Sequence, residues 1–231
     1  MVIPLIDNGN DCDELRLSLR SLVKNFRDSF EVTIIGYKPK WITNVKYIPF
    51  SDSGDRECNT LNKAIFAANI YDEFIWWHDD FFLISPACRH DFSLPLYVER
   101  FNDIKTWGTG VFQKKLKKSF KILSEHFNEV YNFETHTPKL IRSSMFLKVV
   151  EKYDLHSKCL PFCTFYLNEQ RPMVALLVNE RKYGVYGSDS MFNENDAKGK
   201  MFLNFDEGAR RSGVIEFLKT SFKNKTKFEK D

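Results

Sequence analysis

Through the first third of the chain, short apolar runs alternate with stretches whose apolar residues recur at helical spacing. Val2 to Ile6 is an apolar run of strand length without a basic leader, which predicts a first strand and not a signal peptide. Asp11 and Glu14 have the spacing of a capping box, and Leu15, Leu19, Leu22, Val23 and Phe26 then share one helical face. Glu31 to Tyr37 and Val45 to Phe50 read as the second and third strands, the latter introduced by the Lys38-Pro39-Lys40 turn. A polar loop, Ser51 to Asp55, leads into a helix whose stripe is Leu61, Ala64, Ile65 and Ala68. Glu73 to Trp77 is a fourth strand and runs directly into His78-Asp79-Asp80. That succession predicts an α/β fold with a central, mostly parallel sheet flanked by helices.

The remainder is less regular. Phe101 to Val111 reads as a strand ending in Gly108-Thr109-Gly110, and the Lys-rich stretch to about Val130 as a helix. Phe133 to Arg142 holds the turn Glu134-Thr135-His136-Thr137-Pro138, a helix follows to Tyr153, and a strand is expected around Met173 to Val178. With no repeat or linker, the 231 residues read as one domain. A 43% hydrophobic content with 22 Phe supplies a core. No run of about eighteen apolar residues marks a membrane span. Five cysteines, an odd number without zinc spacing, fit a reducing cytoplasm. The net charge of +3 is small, but lysines gather at 114–121 and 219–230, as solvated faces or as contacts for an anionic partner.

The chemistry concentrates at the end of the fourth strand. Open α/β sheets bind ligands outside the carboxyl ends of their strands. Adjacent carboxylates between apolar residues are costly there unless a cation compensates them, and Mg2+ or Mn2+ with bound phosphate does so. Asp80 and His78 are candidate ligands and Asp79 a donor contact; the plain alternative is a turn or helix cap. His136, in a turn made rigid by Pro138, is either a further ligand or a histidine satisfied locally. Asn59, Asn62 and Lys63 share a helical face that offers an amide to a nucleoside and an ammonium to a diphosphate, with Arg56 at the helix start. Asp189, in a small polar loop after a strand, is the first candidate for a catalytic base, with Glu134 and Glu169 as rivals.

Several of these segments resemble a glycosyltransferase family that includes Stealth-type capsular enzymes and phage-encoded relatives. They are Ser18-Leu19-Arg20-Ser21-Leu22-Val23-Lys24-Asn25, Thr33 to Gly36, Lys38 to Trp41, Asn59 with Asn62 to Ile65, Glu73 to Phe82, Glu134 to Pro138, and Ser221 to Glu229. The resemblance implies a GT-A, Rossmann-like single domain with a nucleotide-sugar-binding half (1–85) and an acceptor-binding half (86–231). It implies a metal-binding acidic triplet, from which His78 in the first position departs, and a later histidine in the metal shell. It also implies transfer of a hexosyl or pentosyl group from a nucleotide sugar, UDP-sugar first, to a hydroxyl. Phage relatives point to hydroxymethylated DNA in a host cytoplasm, with Lys114 and Lys115 on phosphates and Trp107 or Phe112 against an exposed base. Stealth-type relatives point to a saccharide and to sugar or sugar-phosphate transfer. A non-catalytic nucleotide-sugar or carbohydrate-binding module is the reading from another class.

Overall fold

A computed structural model of the chain describes residues 1–7, 11–101, 108–170 and 175–230. β1 (Val2–Leu5), α1 (Asp13–Asn25), β2 (Thr33–Gly36), β3 (Lys46–Pro49), α2 (Arg56–Ala68) and β4 (Glu73–Trp76) follow one another as the hydrophobic pattern predicts. Beyond them come β5 (Phe82–Leu83), β6 (Leu96–Tyr97), α3 (Val111–Ser124), β7 (Lys139–Arg142), α4 (Ser143–Lys152) and the short α5 (Leu155–Lys158). The chain continues through α6 (Phe162–Gln170), β8 (Leu176–Leu177), α7 (Val178–Arg181), β9 (Lys182–Val185), α8 (Glu194–Ala197), β10 (Phe202–Phe205) and α9 (Val214–Ser221).

The main sheet has the order β3-β2-β1-β4-β7, parallel except for β7, which runs antiparallel to β4. Alternate residues of each strand face opposite cores, as the pleat requires. Val2, Ile35, Phe74 and Trp76 pack with α2, α4 and α6 on one face, while Ile3, Ile34, Ile75 and Trp77 pack with Leu15, Leu19 and Leu22 of α1 on the other. A smaller sheet, β5-β10-β9, continues the layer beside α1. No helix among the described residues is long and apolar enough to cross a membrane.

Several expectations need correction. The capping box at Asp11 does not form: Cys12 precedes α1 in a left-handed conformation, and Asp11 binds Arg16 instead. Val23 is exposed, because the buried stripe of α1 closes without it. The strand expected to end at Gly110 lies mostly outside the described residues, and Gly110 precedes α3. Of the strand expected at 173–178, positions 173 and 174 lie outside the described residues, β8 forms at Leu176–Leu177, and β9 follows a helical turn. Residues 139–142, read only as the end of a turn, form the antiparallel strand β7.

The cysteines also depart from expectation. Cys58 in α2 and Cys159 after α5 form a disulfide, and Cys12, Cys88 and Cys163 lie outside it as thiols. A disulfide is at odds with the reducing compartment that the odd count favoured.

The C-terminal lysine segment is an anchored tail. Arg20 of α1 donates to both carboxylate oxygens of buried Glu229, at 2.9 and 2.6 Å, and Phe228 is buried beside it.

Candidate active site

The carboxyl ends of β1, β2, β3 and β4 lie at one edge of the sheet, and β7 enters beside β4 with Lys139 opposite Trp76. That register delivers the 135–138 turn to the place where the chain leaves β4. The segment after Trp76 is pinned from both sides. Buried Ser18 of α1 accepts from the Trp77 indole at 2.8 Å and donates to the Phe81 carbonyl at 2.6 Å. Ser21 accepts from Leu83 N at 3.0 Å. Asn204 of β10, itself buried, donates to the Asp80 carbonyl at 2.9 Å. The serines of α1 therefore serve the loop that carries Asp80.

His136 adopts a left-handed backbone, φ 52°, and its Nε2 lies 2.6 Å from Asp80 Oδ2. Asp80 Oδ1 is buried and has no hydrogen-bond partner among the described groups. Ligand atoms of His78, Asp80 and His136 all lie within 4.8 Å of one another. An orphaned carboxylate oxygen beside two imidazoles fits a divalent cation, for which carboxylate and neutral imidazole are competent ligands. Burial pushes the Asp79 carboxyl up to about 7, and the Asp80 charge adds to this. Burial also opposes ionisation of Asp80, but the hydrogen bond and charge of His136 override it and hold that carboxyl below its ordinary value.

His78 plays a different part. Burial, followed by the nearby His136, pushes its imidazole down to about 3, so it is neutral. The Trp76 indole donates to His78 Nε2 at 3.0 Å. An indole nitrogen only donates, so the His78 proton resides on Nδ1. Direct ligation by His78 would require that hydrogen bond to be exchanged.

Two cavities meet here. The larger, about 1010 Å³, runs from Pro4, Asp7 and Glu14 past Tyr37, Tyr47 and Phe50 to His78, Asp79 and Asp80. The smaller, about 460 Å³, lies beyond Asp80 and takes Glu134, His136, Lys139, Phe112, Tyr186 and Asp206 into its lining. Arg56, Thr60, His78 and Asp80 line both.

The residues picked from sequence divide sharply. Asp79, Asp80, His78, His136, Arg56 and Glu134 line a cavity. Lys63 lines the larger one but is buried, donating to the Leu5 carbonyl at 3.1 Å and pairing with Asp52 at 2.8 Å. Gly36 leaves room for that ammonium: a Cβ there would stand 3.0 Å from Lys63 Nζ and collide with the Leu5 carbonyl. Asn59 is spent on the 51–55 loop, accepting from Ser53 N at 2.8 Å and donating to Ser53 O at 2.5 Å. Asn62 is half-buried and lines neither cavity. Asp189 is exposed and also lines neither, because its loop turns away after Tyr186. Lys115 is paired with Asp55 at 2.7 Å and Glu57 at 2.8 Å, so it fastens α3 to α2. Lys114 is exposed and lines neither cavity, and Trp107 lies outside the described residues.

Glu134 accepts from Thr164 N, in the first turn of α6, at 2.8 Å. Burial pushes its carboxyl up, against the pull of Lys139 and that N–H. Sequence reasoning passed over Glu14, Lys139, Lys182 and Tyr186. Lys139 is buried and donates to Thr135 Oγ1 and the Thr137 carbonyl, while Lys182 donates to the Thr135 carbonyl at 2.8 Å. Among the described residues neither lysine forms an ion pair. Burial, with Lys139 nearby, pulls Lys182 down to about 8. A lysine opening a short β-rich run was the available signal for both.

No protein-family model and no curated protein matches the chain by sequence. Solved structures do match it by shape. The galactosyltransferase LgtC, in complex with donor and acceptor sugar analogs, superposes with a TM-score of 0.54 over 98% of this chain and 97% of that one, at 11% identity. This is a GT-A fold. An active-site mutant of LgtC matches over the same shares at 11% identity, with a TM-score of 0.52. Within the GT-A frame, the cavity at the carboxyl ends of the parallel strands and the Asp80–His136 pair beside it occupy the edge where open α/β sheets take their ligands.

Proposed function

We propose that the protein is a glycosyltransferase that moves a sugar from a nucleotide sugar in the larger cavity to a hydroxyl of a saccharide in the smaller one. The observation that carries this reading is the shared lining: Arg56, Thr60, His78 and Asp80 border both cavities, so ligands in the two meet at Asp80. The fold shared with LgtC, a galactosyltransferase solved with donor and acceptor sugar analogs, supports it.

Asp80 and His136 hold a divalent cation, Mn2+ or Mg2+, with His78 alongside. Once bound, the cation supplies neutralisation of the charge on a departing diphosphate. Tyr37, Tyr47 and Phe50 offer aromatic faces to a nucleoside, uridine first, and Arg56 is the exposed guanidinium at the phosphates. Lys139 and Lys182 hold the 135–138 turn that carries His136, through Thr135 and the Thr137 carbonyl. Glu134, a carboxylate on the wall of the smaller cavity, takes the place of Asp189 as the candidate base. The division into a donor half (1–85) and an acceptor half (86–231) fits the larger cavity, whose lining comes from residues 4–80 apart from Glu207. The smaller cavity draws on both halves.

A DNA acceptor has lost a basic contact, since Lys115 is consumed by Asp55 and Glu57. The test is nucleotide release from UDP- and GDP-sugars with Mn2+ or Mg2+, in the presence of saccharides or hydroxymethylated DNA. Release stimulated by a saccharide, with a matching mass gain, supports the reading. Stimulation by DNA alone would replace the acceptor, and absence of turnover with every donor would favour a binding module.

A further inference from the structure

Two aromatic side chains stand open in the smaller cavity. Phe112, in the first turn of α3, is 37% exposed, and Tyr186, directly after β9, is 50% exposed. Both are held in place by their surroundings. The Lys115 pairs with Asp55 and Glu57 fix the start of α3 against α2, and with it the position of Phe112. The Tyr186 ring lies over Gly184: a Cβ at position 184 would come within 2.3 to 2.6 Å of the ring and its hydroxyl. Gly184 is not among the glycines with positive φ, so its backbone admits other residues, and a side chain there would displace the exposed ring. Downstream, Gly187 N donates to Asp206, which fixes the chain as it leaves Tyr186.

The remaining lining indicates what these rings face. Glu57, Glu134 and Asp206 are carboxylates on the cavity wall, besides Asp80. Arg56 and Lys139 stand on the same wall and Glu57 is paired with Lys115, so charges of both signs offset one another and present donors and acceptors to hydroxyls. The volume of about 460 Å³ lies within the roughly 300–1,000 Å³ of small-molecule sites. Aromatic faces carry negative quadrupole charge and suit the C–H-bearing face of a sugar ring.

Resting on the glycosyltransferase reading above, we propose that Phe112 and Tyr186, the latter seated on Gly184, form an aromatic clamp that selects a neutral pyranoside as the acceptor.

The experiment measures acceptor KM and kcat with methyl β-D-galactopyranoside, methyl β-D-glucopyranoside, lactose and a hydroxymethylcytosine oligonucleotide. Wild type is compared with Phe112→Ala, Tyr186→Ala, Tyr186→Phe and Gly184→Ala. Removing either ring should raise KM for the best pyranoside by roughly 3- to 10-fold, with a smaller effect on kcat. Gly184→Ala should reproduce Tyr186→Ala, and Tyr186→Phe should keep the wild-type KM. An unchanged KM in Tyr186→Ala overturns the clamp, as does turnover on the oligonucleotide with none on a pyranoside. If Gly184→Ala does not fold, the comparison of Tyr186→Ala with Tyr186→Phe decides alone. Wild type that releases no nucleotide from any donor instead defeats the glycosyltransferase reading and the clamp with it, so the two failures are told apart by the donor reaction.

Discussion

The indole N–H of Trp76 donates to Nε2 of His78 across 3.0 Å. Adjacent strand residues point to opposite faces, so residues 76 and 78 share a side and can meet. The bond fixes the tautomer of a neutral imidazole and leaves Nδ1–H as its donor. A histidine in the first position of an acidic triplet thus offers a hydrogen bond where an aspartate would offer a negative charge.

Nitrogen-15 NMR of histidine-labelled protein should therefore show His78 with an unprotonated Nε2 and a protonated Nδ1 throughout the neutral range. Trp76→Phe should remove that bias and let the Nε2-H form appear. A wild-type spectrum with Nε2 protonated would contradict the assignment.

Mn2+ should raise the melting temperature, because a cation bound to the native state alone stabilises it by about 2.7 kcal/mol at one hundred times Kd. Asp80→Asn and His136→Ala should each weaken Mn2+ binding by roughly 100-fold or more, beyond what loss of a supporting partner costs. Thermal shift against metal concentration measures this. A normal Mn2+ titration in Asp80→Asn would remove Asp80 from the ligand set.

Lys182 gives a pH signature of defined sign. Burial lowers its folded value to about 8 from 10.5 in the free side chain. Between those values the unfolded chain keeps the proton that the native protein has released, so this residue makes stability rise with pH. The slope is at most about 1.4 kcal/mol per pH unit, and it vanishes below pH 8 where both states are protonated. Urea midpoints of wild type minus Lys182→Met, taken from pH 7 to 10.5, should display that rise. A flat difference would mean that the ammonium is better solvated than its burial implies.

The Cys58–Cys159 bridge closes a sequence separation of 101 residues. Its removal in Cys58→Ser/Cys159→Ser should cost roughly 2–4 kcal/mol. Denaturant melts would show the loss, and titration of the unfolded, unreduced wild type should find three thiols outside the bridge. Five thiols in protein handled without reductant would show that the bridge does not form.

The first four strands were legible because each is a compact apolar run, and Asp80 because it follows one of them. β7 was not: Leu140 and Ile141 stand between Lys139 and Arg142, too short a pattern to separate from a turn. Its pairing with β4 comes from tertiary contact, and that pairing brings His136 to Asp80. Lys63 and Asn59 were misread for the opposite reason. Their spacing on α2 does bring them to the cavity, but the Leu5 carbonyl, Asp52 and Ser53 had already claimed their polar groups. Asp189 sits in a loop of the expected kind, yet Tyr186 is the residue of that region that lines the cavity. Sequence locates polar residues well and says little about which of them remain unspent.

The antiparallel entry of β7 also orders events during synthesis. Asp80 and His136 are 56 residues apart, and the pairing of Trp76 with Lys139 brings the histidine to the edge where the carboxylate lies. A ribosome that has released β1 to β4 has already produced the strands and α2 that wall the larger cavity, but not His136. If the pair binds the proposed cation, its site is completed only after the strand at 139–142 has been made and has docked.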